Sequence, residues 1–490
     1  MLNAYPDSLG GNLGDIVTLL KTEAMQDVFS SFYILPSLYH SDLDRGFSVI
    51  DYDLNEQLAN REDLDQLKNM GIDLKLDFIL NHASAQSPQF QDRQPGFAEK
   101  HLLQAAFLRL DIAFLRHGSM PFPEAVPVDE KIAVRRSLPF FHKPGLPILM
   151  VEFPDGKKVP YWNTFYQEVH GRHYLGQMDV NIQSPKVWEF YRETLEKIAS
   201  YGAAIVRLDA FAYAPKTPGK KNFLNDPETW ELLQKIHALA EPLGLTLLPE
   251  IHAAYDEKIY QTLAEKGYAT YDFFLPGLVI DAIENRRGTY LAAWAKEIVE
   301  KKISTVNMLG CHDGIPLLDL KGLLPKEEIQ SLIDRIVSRG GMVKNLHGQK
   351  NLYYQVNATY YSALGESDEK MLLARAIQMF MPGKPQIWYL DLFAGKNDHE
   401  AVQRAGESGH KEINRTNISV DQIAEGLKKD VVQKQLALIR MRNTHKAFSE
   451  GAEVTISGEE SSLEIRWEYD GAYAELHVNF EEGTYTIESN

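Results

Sequence analysis

Short apolar segments recur along the chain, and stretches with helical spacing separate them. The apolar segments are residues 32–36, 74–80, 203–208, 245–248, 304–309 and 385–390. Unbroken apolar strands that alternate with helices are typical of a parallel sheet buried on both faces. The pattern therefore predicts an α/β fold assembled from βα units.

Two of these units are clear in the sequence. Residues 185–200 place Val187, Tyr191 and Leu195 on one helical face, and the strand 203–208 follows directly. A second helix is predicted ahead of the strand at 245–248. It has Asp226 as its N-cap and Pro227 at its first position.

Three parts of the chain depart from the alternation and predict appendages. Residues 84–177 are too long and irregular for a βα loop, and residues 314–356 look like a smaller lid. The last sixty or so residues alternate apolar and polar positions, with a hairpin turn at Asp470-Gly471, which is typical of an antiparallel sheet. The expected division is a catalytic barrel at 1–83, 178–313 and 357–430, an inserted domain at 84–177, a lid at 314–356 and a C-terminal β domain at 431–490.

Composition narrows the classes of function. The chain has 490 residues, of which 44% are hydrophobic and 24% charged, which suits a globular protein with a large core. A net charge of −17 disfavours nucleic acid and anionic membranes as partners. No apolar stretch is long enough to span a bilayer. One cysteine, Cys311, and an N-terminus without a signal-peptide pattern favour a cytoplasmic location.

Polar residues follow several of the apolar strands. Asn81-His82, Asp209, Glu250 and His312-Asp313 each stand at such a strand end. An isolated acid at this place is more often a helix cap than a catalytic group. Three carboxylates that meet at one edge of a sheet are harder to explain without function, because their charges repel. A nucleophilic and a proton-donating carboxylate are the pair that a retaining glycosidase needs.

Arg207 strengthens the assignment of Asp209. Residues two positions apart on a strand point to the same side, so Arg207 can hold Asp209 ionised as a nucleophile. A structural ion pair is the alternative interpretation. Burial after an apolar strand would raise the pKa of Glu250 and keep a proton available for a leaving group.

The segments DFILNH, VRLDA, LLPEIH and GCHDG resemble, in order and spacing, the four regions of the α-amylase superfamily. YPDSLGGNL, DRGFSVIDY, NATYYSALG and EINR are similar to the sucrose phosphorylase branch of glycoside hydrolase family 13. The resemblance covers nearly the whole chain. It implies a (β/α)8 TIM barrel with two inserted subdomains over its mouth, a C-terminal antiparallel β domain and no cofactor or metal.

By the same resemblance, Asp209 is the nucleophile, Glu250 the acid/base and Asp313 the carboxylate that stabilises the transition state. The other residues implied to bind substrate are Asp44, Phe47, His82, Gln177, Arg207, Tyr213, His252, His312, Tyr354, Gln355 and Arg415. Arg135 and Arg136 are candidates for holding phosphate, because arginine can bind phosphate oxygens bidentately. A solvated surface pair is the alternative interpretation of these two arginines.

The implied activity is cleavage of sucrose by inorganic phosphate to α-glucose 1-phosphate and fructose. The chain departs from the family around its acceptor residues, at 166–176, 351–353 and 416–417, so other acceptors stay open. Sucrose 6-phosphate is favoured by Arg135 and Arg136 and disfavoured by Tyr354. Glucosylglycerol or glucosylglycerate phosphorolysis, hydrolysis, and sugar binding without catalysis are further alternatives. Either a monomer or a homodimer is expected.

Overall fold

The structure is a computed structural model. It describes residues 1–91, 177–216, 223–343 and 355–490, together with short stretches at 148–152, 158–162, 164–165, 167–169 and 172–174.

Eight parallel strands form the centre of the molecule. In chain order they are β1 (Leu2–Ala4), β2 (Ser31–Ile34), β3 (Asp73–Ile79), β4 (Ala203–Asp209), β5 (Thr246–Pro249), β6 (Thr270–Asp272), β7 (Thr305–Met308) and β8 (Lys384–Trp388). Their order in the sheet is β5-β4-β3-β2-β1-β8-β7-β6, and every paired neighbour is parallel. The two end strands, β5 and β6, also contact each other. The sheet is thus a nearly closed eight-stranded barrel, which confirms the predicted fold.

Helices surround this barrel. They are Leu13–Leu20, Arg61–Asn69, Pro88–Gln91, Pro185–Ser200, Glu228–Ala240, Ile259–Glu265, Leu275–Asn285, Thr289–Glu300, Lys326–Ser338, Tyr360–Ala363, Asp368–Phe380, Tyr389–Leu392, His399–Ala405, Val420–Gly426 and Asp430–Thr444. The helix Pro185–Ser200 buries Val187, Tyr191 and Leu195, the face that the sequence predicted. None of the described helices is long and apolar enough to cross a membrane.

One helix start differs from the prediction. The helix before β5 begins at Glu228, and Pro227 takes the N-cap position that we expected for Asp226. The carbonyl oxygen of Pro227 accepts hydrogen bonds from the N–H groups of Trp230 and Glu231, at 3.0 and 3.1 Å. The N–H group of Thr229 donates to the carbonyl oxygen of Asn225 at 2.8 Å, so two backbone carbonyls accept hydrogen bonds from the first turn.

Smaller sheets extend from the barrel. Antiparallel pairs join Tyr39–Leu43 to Ser48–Leu54, His82–Ser84 to Gln177–Asp179, Ile148–Glu152 to Lys158–Trp162, and Gln167–Val169 to Arg172–Tyr174. A three-stranded sheet orders Ile315–Pro316, Gln355–Asn357 and Met342–Val343. The C-terminal sheet has four antiparallel strands, Glu453–Ser457, Ser462–Tyr469, Ala472–Asn479 and Thr484–Ser489.

The C-terminal sheet is anchored to the barrel through a buried tryptophan. Trp467 donates a hydrogen bond from Nε1 to the carbonyl oxygen of Phe380, at 2.7 Å, on the helix Asp368–Phe380. Arg442, on the helix Asp430–Thr444, lies over the Trp467 ring with its guanidinium carbon 4.1 Å from the ring centroid. The helix Asp430–Thr444, at the start of the proposed C-terminal unit 431–490, thus contacts the sheet through Arg442.

Candidate active site

Asp209 and Glu250 stand side by side at the carboxyl ends of neighbouring barrel strands. Asp209 is the last residue of β4, and Glu250 follows β5 directly. Arg207 binds both of them. Its Nη1 lies 2.8 Å from Oδ1 of Asp209, and its Nη2 lies 2.8 Å from Oε1 of Glu250. One planar guanidinium therefore fixes the spacing of the two carboxylates, because its nitrogens diverge in a rigid fork.

A third buried acid supports the same arginine from below. Asp77 on β3 accepts a hydrogen bond from Nη1 of Arg207, at 2.6 Å. The hydroxyl of Tyr33 on β2 donates to both oxygens of Asp77, at 2.8 and 3.0 Å. The guanidinium is consequently held from the barrel interior while its outer side faces Asp209 and Glu250. The sequence analysis did not single out Asp77, although a charge inside an apolar strand is a signal of this kind.

Glu250 has further partners besides Arg207. Its Oε2 accepts a hydrogen bond from the backbone N–H of Ala210, at 3.1 Å, and Ala210 has a left-handed conformation with φ of 52°. Nε2 of His252 lies 3.7 Å from Oε1 of Glu250. Nδ1 of His252 lies 3.2 Å from Asp319, and its ring stacks on Phe273 with centroids 3.7 Å apart. His252 is thus fixed beside the carboxylate that we expect to act as acid and base.

Asp313 belongs to a second charged group on the other side of the barrel mouth. Its Oδ2 lies 3.1 Å from Nε2 of His312, and its Oδ1 lies 2.7 Å from Nζ of Lys411 and 3.6 Å from Nη2 of Arg415. Arg415 also contacts Asp44, with Nη1 3.3 Å from Oδ1. The structure therefore brings together Asp44, Asp313 and Arg415, which were predicted as glucosyl-site residues. It adds Lys411, which was not predicted.

Aromatic and polar side chains complete the pocket between these two groups. The rings of Phe47 and His312 stack with centroids 4.9 Å apart, and Phe47 lies beneath Arg207 with its centroid 5.6 Å from the guanidinium carbon. Nε2 of His82 lies 3.1 Å from the carbonyl oxygen of Phe47. Gln177 is buried on the strand that pairs with His82–Ser84. Phe47 thus contacts both charged groups and His82 contacts its backbone, whereas the binding of a sugar by these residues and Gln177 stays a prediction.

Phe47 and Asp44 reach the pocket through a turn with an unusual backbone. Asp44 and Arg45 have φ of 47° and 49°, in the left-handed region, and Gly46 has φ of 116°. A Cβ atom at Gly46 would lie 2.1 Å from the backbone nitrogen of Ser37, so only glycine fits there. Arg45 fastens the turn by bonding to Oδ1 of Asp7 at 3.0 Å, to the carbonyl oxygen of Arg415 and to Asn417.

Tyr213 and Gln355, which were predicted to bind substrate, are among the described residues. Tyr213 follows β4 in a 3-10 turn, and its ring packs edge-on against Phe165 with centroids 5.1 Å apart. Phe165 in turn contacts the ring of His82. Gln355 begins the lid strand Gln355–Asn357, and Asn357 donates a hydrogen bond to the carbonyl oxygen of Asp313 at 2.7 Å. Tyr213 is therefore connected to His82 through Phe165, and the strand of Gln355 is connected to Asp313 through Asn357.

Three predicted residues, Tyr354, Arg135 and Arg136, lie outside the described residues.

The buried amino group of Lys216 connects three residues near the strand ends. Its Nζ contacts Asp179 at 3.0 Å and Asn81 at 2.7 Å, and it donates to the carbonyl oxygen of Tyr213 at 2.7 Å. Among the described residues, no group of three or more histidine, cysteine or acidic side chains could hold a metal ion.

The electrostatics of Asp209 and Glu250 differ from the sequence-based expectation. Burial raises the pKa of Asp209 to about 8, which outweighs Arg207 and is reinforced by Glu250. Burial also acts on Glu250, but Arg207 and His252 outweigh it and lower its pKa. We expected the pKa of Asp209 to be lowered and that of Glu250 to be raised. The physical reason is that Arg207 serves both carboxylates, while Ala210 and His252 favour negative charge on Glu250 only. Two such groups titrate as a unit and share one proton near neutral pH.

The ionisation states of Asp313 and His312 are simpler. Burial raises the pKa of Asp313, but His312, Lys411 and Arg415 outweigh it and hold that pKa well below its usual range. Burial lowers the pKa of His312. Asp313 is therefore ionised and His312 neutral near pH 7. A neutral imidazole beside an ionised carboxylate suits a pocket that binds hydroxyl groups, because it has both a donor and an acceptor nitrogen.

Known proteins resemble this chain over its full length. A sucrose 6(F)-phosphate phosphorylase of Ilumatobacter coccineus is 51% identical over 505 residues, which cover 99% of this chain and 95% of the relative. A sucrose phosphorylase of Streptococcus mutans is 34% identical over 100% of this chain and 97% of the relative. None of the known protein-family models matches the chain.

The chain belongs to the sucrose phosphorylase branch of glycoside hydrolase family 13.

Solved structures agree with this membership. The crystal structure of a sucrose 6F-phosphate phosphorylase from Thermoanaerobacter thermosaccharolyticum superposes with a TM-score of 0.88 at 33% identity, and covers 100% of this chain and 94% of that chain. An α-amylase from H. orenii superposes with a TM-score of 0.64 at 16% identity over 98% of this chain and 88% of that chain, which shows the shared barrel fold. The predicted family is confirmed, and with it the prediction that the chain is an enzyme that transfers glycosyl groups.

The raised pKa of Asp209 generates a prediction about stability. At pH values between the usual pKa of 3.8 and the raised pKa of about 8, the Asp209 carboxyl takes up a proton when the protein folds. The folded protein therefore loses stability as pH rises through this range. Asp209→Asn removes this cost. We expect the difference in Tm between Asp209→Asn and wild type to be close to zero near pH 4. This difference should grow in favour of the variant up to pH 8, by the equivalent of about 1 kcal/mol or more. Scanning calorimetry at several pH values measures this difference. A Tm difference that does not grow with pH would contradict the assigned pKa.

The backbone of the turn at 44–46 generates a second prediction. Gly46→Ala places a methyl group against the Ser37 backbone and forces the turn to shift, since φ of 116° is unfavourable for alanine. We expect KM for the glucosyl donor to rise at least about tenfold, equivalent to about 1.4 kcal/mol. Gly71→Ala is the matched control, because Gly71 also has positive φ but a Cβ there meets no atom. Equal KM values for the two variants would show that the turn does not position Asp44 and Phe47.

Proposed function

We propose that the enzyme transfers a glucosyl group from a sucrose-type glucoside to inorganic phosphate, with retention of the α configuration. Asp209 is the nucleophile, Glu250 the acid/base and Asp313 the carboxylate that stabilises the transition state. The observation that supports these roles best is the shared contact of Asp209 and Glu250 with Arg207, at 2.8 Å each. Retaining enzymes need two carboxylates about 5 to 5.5 Å apart, and one guanidinium fork suits this spacing.

The first chemical step forms a covalent intermediate. Because Arg207 holds Oδ1 of Asp209, we assign Oδ2 as the atom that attacks C1 of the glucosyl unit. The bond from C1 to the fructosyl oxygen breaks as Glu250 gives its proton to that oxygen. The shared proton must therefore lie on Glu250 at this moment. Its movement from Asp209 to Glu250 leaves the net charge of the pair unchanged and exposes the negative charge of the nucleophile.

The second step reverses the first. A phosphate oxygen attacks C1, the bond to Asp209 breaks, and Glu250 takes up the proton that phosphate loses. Two displacements at C1 give α-glucose 1-phosphate. Water competes for the same intermediate, so the acceptor site must hold an anion. Arg135 and Arg136 remain our candidates for that role.

The identity of the leaving group is open between sucrose and sucrose 6-phosphate, which carries its phosphate on the fructosyl unit. Sucrose was the first candidate from the sequence. The 51% identity to a sucrose 6(F)-phosphate phosphorylase, against 34% to a sucrose phosphorylase, favours the phosphorylated substrate. We therefore propose sucrose 6-phosphate as the preferred substrate and sucrose as the second candidate. A cytoplasmic location and a homodimer stay proposals from the sequence.

A donor whose leaving group needs no proton distinguishes the role of Asp209 as nucleophile from that of Glu250 as acid. α-Glucosyl fluoride releases fluoride without acid assistance, so Glu250→Gln should form the intermediate from it within about tenfold of the wild-type rate. On the disaccharide the same variant should lose about 10²- to 10⁴-fold. Asp209→Asn should lose at least about 10⁴-fold on both donors. Initial rates of fluoride release and of glucose 1-phosphate formation measure these effects. Equal losses for Glu250→Gln on both donors would overturn its role as the acid.

The substrate assignment is tested by comparing two disaccharides under the same conditions. We expect kcat/KM for phosphorolysis of sucrose 6-phosphate to exceed that of sucrose by about 10- to 100-fold, since charged hydrogen bonds to the phosphate contribute about 1.5 to 3 kcal/mol. Arg135→Ala and Arg136→Ala should reduce this preference, and Lys396→Met on the exposed surface should not. A higher kcat/KM for sucrose would identify sucrose as the substrate. Glucose release at the same rate without phosphate would identify a hydrolase instead.

A further inference from the structure

Lys411 is a cation at the glucosyl pocket for which the mechanism above has no use. It lies in the 3-10 segment Gly406–Asn414. Its Nζ is 2.7 Å from Oδ1 of Asp313 and 3.4 Å from Oδ2 of Asp44. The side chain is 29% exposed, whereas that of Arg415 is 1% exposed. Lys411 is thus the more accessible of the two cations that bridge these acids.

Arg415 compensates only one of the two negative charges that Asp44 and Asp313 carry. Its Nη1 lies 3.3 Å from Asp44 and its Nη2 lies 3.6 Å from Asp313. Lys411 supplies the second positive charge of this group. An ammonium group has three N–H donors, and the two carboxylates account for two of them. The third can bond to a hydroxyl group in the pocket without breaking either ion pair.

The amino group of Lys411 is protonated at neutral pH. Burial disfavours the ammonium form, but Asp313 and Asp44 outweigh burial and raise the pKa of Lys411 above its usual value. A charged donor makes a stronger hydrogen bond to a sugar hydroxyl than a neutral one does.

We propose that Lys411 is a specificity-determining residue that donates a hydrogen bond to the C3 or C4 hydroxyl of the glucosyl unit. This inference rests on the proposed function. A carboxylate that stabilises an oxocarbenium-like transition state bonds near C2, and the Asp44–Arg415 pair is our candidate for the far side of the ring. A donor that contacts both Asp313 and Asp44 lies along the ring edge between these two positions. The hydroxyls on that edge are those at C3 and C4.

The alternative is that Lys411 acts only through the charges of Asp313 and Asp44. The two explanations differ in how a Lys411 variant responds to the loss of a hydroxyl group. If Lys411 bonds to a hydroxyl, removing the lysine and removing that hydroxyl abolish the same interaction, so the two losses are not additive. If Lys411 only neutralises charge, every donor loses the same factor.

The experiment measures kcat/KM for fluoride release from α-glucosyl fluoride and from its 3-deoxy, 4-deoxy and 6-deoxy analogues. The enzymes are wild type, Lys411→Met, and Lys396→Met as an exposed control that pairs with Glu366 on the surface. We expect Lys411→Met to lose about 10- to 100-fold on the parent donor. That loss should shrink to within about threefold for the 3-deoxy or the 4-deoxy donor and persist for the 6-deoxy donor. Lys396→Met should match wild type on all four donors.

A constant loss across the four donors would overturn the proposed role of Lys411 and leave the proposed function intact. Failure of the wild-type enzyme to release fluoride from the parent donor would instead overturn the proposed function, and the role of Lys411 with it. Circular dichroism checks that Lys411→Met is folded. If it is not folded, Lys411→Gln enters the same comparison with the same criteria.

Discussion

The site depends on one buried guanidinium. Arg207 contacts Asp77 at 2.6 Å below, and Asp209 and Glu250 at 2.8 Å above. Three acids this close would repel one another strongly in a medium of low polarity, so the arginine is what makes their proximity tolerable. Its rigid shape also fixes where the two upper carboxylates lie. The spacing on which a two-step displacement at C1 depends is therefore set from the floor of the barrel, by residues that do not react.

A shared cation also has an electrostatic consequence. Arg207 cannot fully stabilise negative charge on Asp209 and Glu250 at once, and burial disfavours a second charge, so the pair keeps one proton near neutral pH. This arrangement costs stability, and the raised pKa of Asp209 records that cost. Active sites commonly carry such strain because reactivity and stability make opposite demands. Across the pocket, Asp313 and Asp44 are compensated by Arg415 and Lys411, and they are ionised. One side of the mouth thus holds a mobile proton and the other a fixed negative charge.

Much of the fold and of the site could be predicted from the sequence, and the exceptions have physical causes. Six of the eight barrel strands coincide with mainly apolar segments of the sequence. β1 and β6 have only three residues each and include Asn3 and Asp272, so no apolar run marks them. Asp77 was overlooked because it lies between the apolar residues Leu76 and Phe78, although Lys75 two positions earlier shares its side of the strand. Lys411 was overlooked because the contact that distinguishes it, with Asp44, joins residues far apart in the chain. Which of Asp209 and Glu250 has the higher pKa depends in part on the backbone N–H of Ala210, and no sequence pattern reveals this contact.

The most direct test of the account is to identify the residue that carries the glucosyl group. Glu250→Gln, incubated with α-glucosyl fluoride and quenched in acid, should accumulate a covalent intermediate. Trypsin then releases the peptide 208–216, in which Asp209 is the only side chain with a carboxyl group. The account predicts that mass spectrometry finds this peptide heavier by one glucosyl unit. A glucosyl group on any other peptide would contradict the claim that Asp209 and Glu250 act together on one sugar carbon.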